Sequence, residues 1–158
     1  QQFKPLSESR QMDIGDRGKE LIESAYEWGY KFEKKHGGCA RCTVAALQKS
    51  IEFIPEDGGA FRAATCLDGG ATPTGNANCG AFTGAGIIIG WTCGTEAFKE
   101  TALAHELIRE VYKGFMKEYG SVLCTDVKKK AHKDCPEVVG KAAHWTTEAI
   151  LRHFTNYE

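Results

Sequence analysis

The residues in this chain most able to do chemistry are its seven cysteines: Cys39, Cys42, Cys66, Cys79, Cys93, Cys124 and Cys135. Cys79 stands in the run Asn78-Cys79-Gly80-Ala81-Phe82-Thr83-Gly84, with no CxxC partner beside it. A chain of 158 residues, 42% of them hydrophobic, can bury an ordinary core without cross-links, so this many thiols call for a chemical role. An odd number cannot pair fully within one chain, which argues against a simple disulfide framework.

Four of the cysteines share a position relative to the expected helices. Cys42 falls in the first turn of one helix and Cys79 opens another. Cys124 follows Gly120-Ser121, and Cys135 precedes Pro136. Helix N-termini carry unpaired N–H groups and partial positive charge, which are expected to lower thiol pKa and stabilise thiolate. Thiolates gathered from several helix starts are what an iron–sulfur cluster needs. Cys66 and Cys93 lie within or just after apolar stretches and read as small buried hydrophobes.

Other chemistry is weaker. Cys39-Ala40-Arg41-Cys42 is a CxxC at a helix start, locally like a thioredoxin-type redox pair, but without the βαβ surroundings of one. Thr43 stands where covalent haem attachment would need His, so no c-type haem is expected there. Structural zinc usually draws on two short-spaced pairs, and only one is present. Of the five histidines, His132 could supplement a ligand set with Cys135, three residues on. His105 and His144, on long helices, read as core or surface residues. No nucleophile–base pair, phosphate loop or paired-carboxylate motif stands out, so no catalytic residue is assigned.

The elements that must position these thiols are helical. Leu21, Ile22, Ala25, Trp28 and Phe32 recur at helical steps, predicting a helix over 16–35 that Gly37-Gly38 breaks. A second starts near Cys39, presents Val44, Leu47, Ile51 and Ile54 on one face, and stops at Pro55. A short helix is expected over 59–67, then a Gly-, Pro-, Asn- and Thr-rich loop over 68–78. Residues 79–91 are apolar all round and predict a central buried helix. Ile87-Ile88-Ile89 alone could be a strand, but Gly80, Gly84, Gly86 and Gly90 favour a helix that neighbouring backbones approach closely. Thr95 is placed to cap a long helix with Ala104, Leu107, Ile108, Val111, Phe115 and Tyr119 inward, ended by Gly120. A short basic helix over 124–131 and a final one after Pro136, burying Val138, Val139, Ala142, Thr146, Ile150 and Phe154, complete the set. The fold class is therefore all-α: a compact bundle of about five to six helices around the glycine-rich apolar helix, with an N-terminal arm over 1–12 and a single domain over 13–158.

A net charge of −1 suggests neither a nucleic-acid nor an anionic-membrane partner. The longest apolar run, 81–91, is too short to span a membrane. Lys128-Lys129-Lys130 reads as a solvated face that a redox partner could also use. A start at Gln1-Gln2 instead of Met hints at a processed, exported chain, and a trimmed one would look the same.

The ordered set of Cys42-Thr43-Val44-Ala45-Ala46-Leu47, Cys79-Gly80-Ala81-Phe82-Thr83-Gly84, Tyr119-Gly120-Ser121-Val122-Leu123-Cys124 and Cys135 before a closing amphipathic helix resembles a known family. These are small redox-active proteins named for the arrangement C … CGAxxG … C … C, and the likeness spans about 17–154. It implies a mostly helical protein with Cys42, Cys79, Cys124 and Cys135 as its redox site. The module is also similar to the iron–sulfur part of split-Soret cytochromes, which implies a homodimer. The haem-attachment sequence of those proteins is missing here, so haem is not carried over. Cys39, Cys66 and Cys93 are additional to the pattern, and Cys39 is a further candidate ligand or a resolving thiol.

Three readings follow. The first is an electron-transfer protein that binds an iron–sulfur cluster through Cys42, Cys79, Cys124 and Cys135 and serves a redox partner protein. The second is a thiol–disulfide redox protein using Cys39 and Cys42. The third is a structural module held by zinc or disulfides.

Overall fold

The computed structural model describes residues 3–99 and 102–158, and within them the chain forms seven α-helices and no β-strand. They are α1 (Gly18–His36), α2 (Cys39–Ser50), α3 (Gly58–Ala63), α4 (Gly80–Cys93), α5 (Ala102–Tyr119), α6 (Cys124–Lys130) and α7 (Cys135–Phe154). The expected all-α class holds. The seven correspond to the helices read one by one from the sequence, α3 and α6 being the two short ones. Between α3 and α4, residues 68–71 form a tight turn through left-handed Gly69 (φ 62°) and Gly70 (φ 68°). None of the described helices is long and apolar enough to cross a membrane.

Helices α1 and α7 lie antiparallel along one another. The buried stripe of α1 runs Gly18, Ile22, Ala25, Gly29, Glu33 at three- and four-residue steps, so these side chains share a face. A β-carbon on Gly29 would stand 3.0 Å from the Val139 carbonyl, and one on Gly140 would stand 2.9 Å from the Tyr26 ring, so both glycines permit the contact. The inward faces expected of α5 and α7 are buried at Leu107, Val111, Phe115 and Tyr119, and at Val138, Val139, Ala142, Thr146, Ile150 and Phe154. Ala104 and Ile108 are half-buried.

Helix α4 runs through the middle of the bundle, and Ile87-Ile88-Ile89 is helical. Its glycines divide by role. A β-carbon on Gly84 would meet the Ala40 carbonyl oxygen at 2.6 Å, so Gly84 lets α2 come into backbone contact, as Gly80 does one turn earlier. Gly90 is exposed with nothing in that space, so α4 is not buried all round as its apolarity suggested. Part of its outer side is covered by Phe3 stacked on Trp91 at 5.7 Å.

Two other local expectations are corrected. Helix α2 ends at Ser50, because Ile51 turns to extended backbone (φ −91°, ψ 100°); Ile51 and Ile54 still reach the core, from the turn that follows. Thr95 is not a cap: its hydroxyl donates to the Ala97 carbonyl at 3.0 Å, and the segment leading into α5 includes 100–101, outside the described residues.

Candidate functional site

Five cysteines occupy helix starts at one end of the bundle. Cys39 and Cys42 sit in the first turn of α2, Cys79 immediately precedes α4, and Cys124 and Cys135 are the first residues of α6 and α7. Backbone pairing aligns two of them. The Cys79 N–H donates to the Val122 carbonyl at 2.7 Å and the Cys124 N–H to the Ala77 carbonyl at 2.9 Å, laying 77–79 beside 122–124. Cys39 stands over the start of α4, where a β-carbon on Gly80 would lie 2.4 Å from its sulfur. The Gly69 N–H donates to that sulfur at 3.4 Å, an interaction the left-handed turn at Gly69 sets up. The Cys42 thiol donates to the Gly37 carbonyl at 3.3 Å.

Mutual electrostatics trace the arrangement. Cys42 feels Cys39, Cys79 feels Cys39 and Cys124, and Cys135 feels Cys124. Glu33 acts on Cys39, Cys42 and Cys135. The α1–α7 register explains this: one turn beyond Gly29 is Glu33, and one turn before Val139 is Cys135. Glu33 is 8% exposed, and its Oε1 is buried without a hydrogen-bond partner.

Cys39, Cys42, Cys79 and Cys135 are shifted away from the thiolate. Burial pushes Cys39 up to about 11 against donation from the Gly69 N–H, and it pushes Cys42 up to about 12 with the Glu33 and Asp68 charges adding to the shift. Cys79 and Cys135 are raised for the same leading reason. The expected helix-terminus effect is present, since the Ala81 and Phe82 N–H groups favour the Cys79 thiolate, but desolvation outweighs it. Glu33 is likewise raised to about 7, by burial first and then by Asp68, with Arg41 opposing.

Asp68 braces the start of α2. Its Oδ1 accepts from the Ala40 and Arg41 N–H groups at 2.9 and 3.1 Å, and its Oδ2 pairs with Arg41 Nε at 2.6 Å. The Tyr119 hydroxyl, buried and also without a partner, lies within electrostatic reach of Cys79.

The remaining candidates lie elsewhere. Cys93 is buried at the far end of α4, donating to the Ile89 carbonyl at 3.3 Å, as a small core residue would. Cys66 is exposed, which corrects its reading as a buried hydrophobe. His132 is exposed in the turn after α6, at φ 54°. His105 is exposed on α5, and His144 is half-buried on α7 with its Nε2 3.9 Å from Glu148. Lys128, Lys129 and Lys130 are exposed. Among the described residues, no group of three or more His, Cys, Asp or Glu side chains stands close enough to hold a single metal ion.

Glu33 and Asp68 were missed by sequence reasoning. Glu33 had a signal: continuing Ile22, Ala25 and Gly29 by four places puts a carboxylate on the buried stripe, six residues before Cys39. Asp68 had none, because its partners lie 27 and 28 residues away across an irregular loop.

An all-helical body with five cysteines at helix starts at one end fits a small redox-active protein. The chain belongs to the family described as putative redox-active protein (C_GCAxxG_C_C), which it matches over residues 19–149. No curated protein and no solved structure matches it.

Proposed function

We propose that this chain is an electron-transfer protein that holds an iron–sulfur cluster through Cys42, Cys79, Cys124 and Cys135. The observation that carries the reading is the gathering of five cysteines at helix starts at one end of the bundle, with the buried, unpartnered carboxylate of Glu33 beside Cys135. Iron cations would be held by such donors, and their binding would deprotonate Cys42, Cys79 and Cys135, which burial otherwise keeps neutral. The cluster would supply one-electron exchange. The chain would tune it with N–H donors at Cys79 and limit water with the surrounding core. A cluster distributes its sulfurs over several irons, so they need not converge on one point as ligands of a single zinc ion must.

The thiol–disulfide alternative has the Cys39–Cys42 pair in its favour. It needs an attacking thiolate near neutral pH, and both thiols are raised to about 11 and 12.

Serine substitution tests the proposal. After anaerobic reconstitution, Cys79→Ser, Cys124→Ser and Cys135→Ser are expected to lose most iron and acid-labile sulfide, while Cys66→Ser and Cys93→Ser keep them. Cys39 lies beside Cys79 and is the natural substitute ligand, so Cys42→Ser is assayed with and without Cys39→Ser. Full iron and sulfide in all single variants and in that double variant would refute the ligand set.

A further inference from the structure

We propose that Glu33 is itself a ligand, adding a carboxylate oxygen to the cysteine sulfurs; this rests on the cluster reading above and extends its donor set beyond cysteine. The placement comes from the fold. Glu33 continues the buried stripe of α1, so its side chain faces the protein interior, and the α1–α7 register sets it level with Cys135. From α1 it acts on Cys39, Cys42 and Cys135, which come from two other helices.

Glu33 has no ordinary structural reason to be there. Its Oε1 is buried without a hydrogen-bond donor. The nearby cation, Arg41, is already engaged through Nε by Asp68 at 2.6 Å, and no ion pair to Glu33 is found among the described residues. A carboxyl group buried without a partner is destabilising, strongly if ionised and less so if neutral and unsatisfied. An apolar residue at the same place on the stripe would avoid either cost. A metal cation bound by the neighbouring sulfurs removes the cost, since iron accepts carboxylate oxygen as well as thiolate.

The test compares the wild-type chain with Glu33→Gln and Glu33→Cys, each reconstituted anaerobically with iron and sulfide. The readouts are Mössbauer spectra and the rate of iron loss to a chelator. Glu33→Gln keeps the shape and removes the anionic ligand, and far-UV circular dichroism of the metal-free chains checks the fold. In the wild type, one iron is expected to differ from its all-thiolate neighbours. Glu33→Gln should erase that signature and speed iron loss by about tenfold or more. Glu33→Cys should restore retention with an all-sulfur spectrum. A Glu33→Gln protein that loads iron with the wild-type spectrum and the wild-type chelation rate overturns the proposal. A wild-type chain that takes up no iron and sulfide would instead sink the cluster reading itself, and this proposal with it.

Discussion

At Cys39 and Cys79 two effects oppose one another, and their balance decides how the thiol behaves. Helix-start N–H groups favour the thiolate, while loss of water disfavours it and wins. The thiol of Cys39, moved from an ordinary 9 to about 11, is left with about a hundredfold less thiolate at pH 8. In metal-free protein, alkylation mapped by mass spectrometry should therefore modify exposed Cys66 first. Labelling of Cys39 and Cys42 should lag and climb about tenfold per pH unit up to roughly pH 11. Rapid labelling of Cys39 and Cys42 at pH 7 would contradict this and favour the thiol–disulfide reading. The same shifts set a sign for stability. A raised thiol pKa favours the neutral, folded state below the ordinary value, and that advantage is lost as pH rises from 9 through about 11–12. At this scale the sequence displayed the cysteines and their helix-start positions, because both are local features. It did not display which thiols burial would desolvate, nor that Asp68 reaches back 28 residues to the Ala40 N–H, because these depend on tertiary contacts.

Between helices, the α2–α4 contact brings Cys39 over the start of α4, and it rests on small side chains. Gly84→Ala would push a methyl against the Ala40 carbonyl oxygen and should cost about 1–3 kcal/mol in urea melts of the metal-free protein. Gly90→Ala, on the open side of the same helix, meets nothing and should stabilise by about 0.5–1 kcal/mol. Equal effects at both positions would mean that α2 and α4 are not in backbone contact. Glycine spacing identified α4 as a close-packing helix, and the periodic faces of α5 and α7 were equally legible, because apolar residues at three- and four-residue steps line up on one face only in a helix. Helix ends were less so. The turn at Ile51 keeps Ile51 and Ile54 buried, so apolar spacing alone reads straight through the end of α2.

Across the whole molecule, the chain ends are fastened to the same body that carries the site. The Leu6 N–H donates to the Thr92 carbonyl at 2.7 Å, and the Arg10 and Met12 N–H groups donate to carbonyls of His153 and Phe154 at 2.9 and 3.1 Å. The site itself draws on the starts of α2, α4, α6 and α7 and on the C-terminal half of α1, so a bound cluster would link five helices. Its loading should stabilise the entire fold: at a free concentration of a hundred times the dissociation constant the gain is about 2.7 kcal/mol, or at least about 5 °C in Tm for a chain of this size. An unchanged Tm in a loaded sample would place the metal outside the fold. The most direct test of the account is an anaerobic visible spectrum of the purified protein, with iron and acid-labile sulfide assayed on the same sample. The account predicts iron and sulfide together, with absorption that bleaches on reduction by dithionite. A colourless protein free of iron and sulfide, prepared and reconstituted without oxygen, would contradict it.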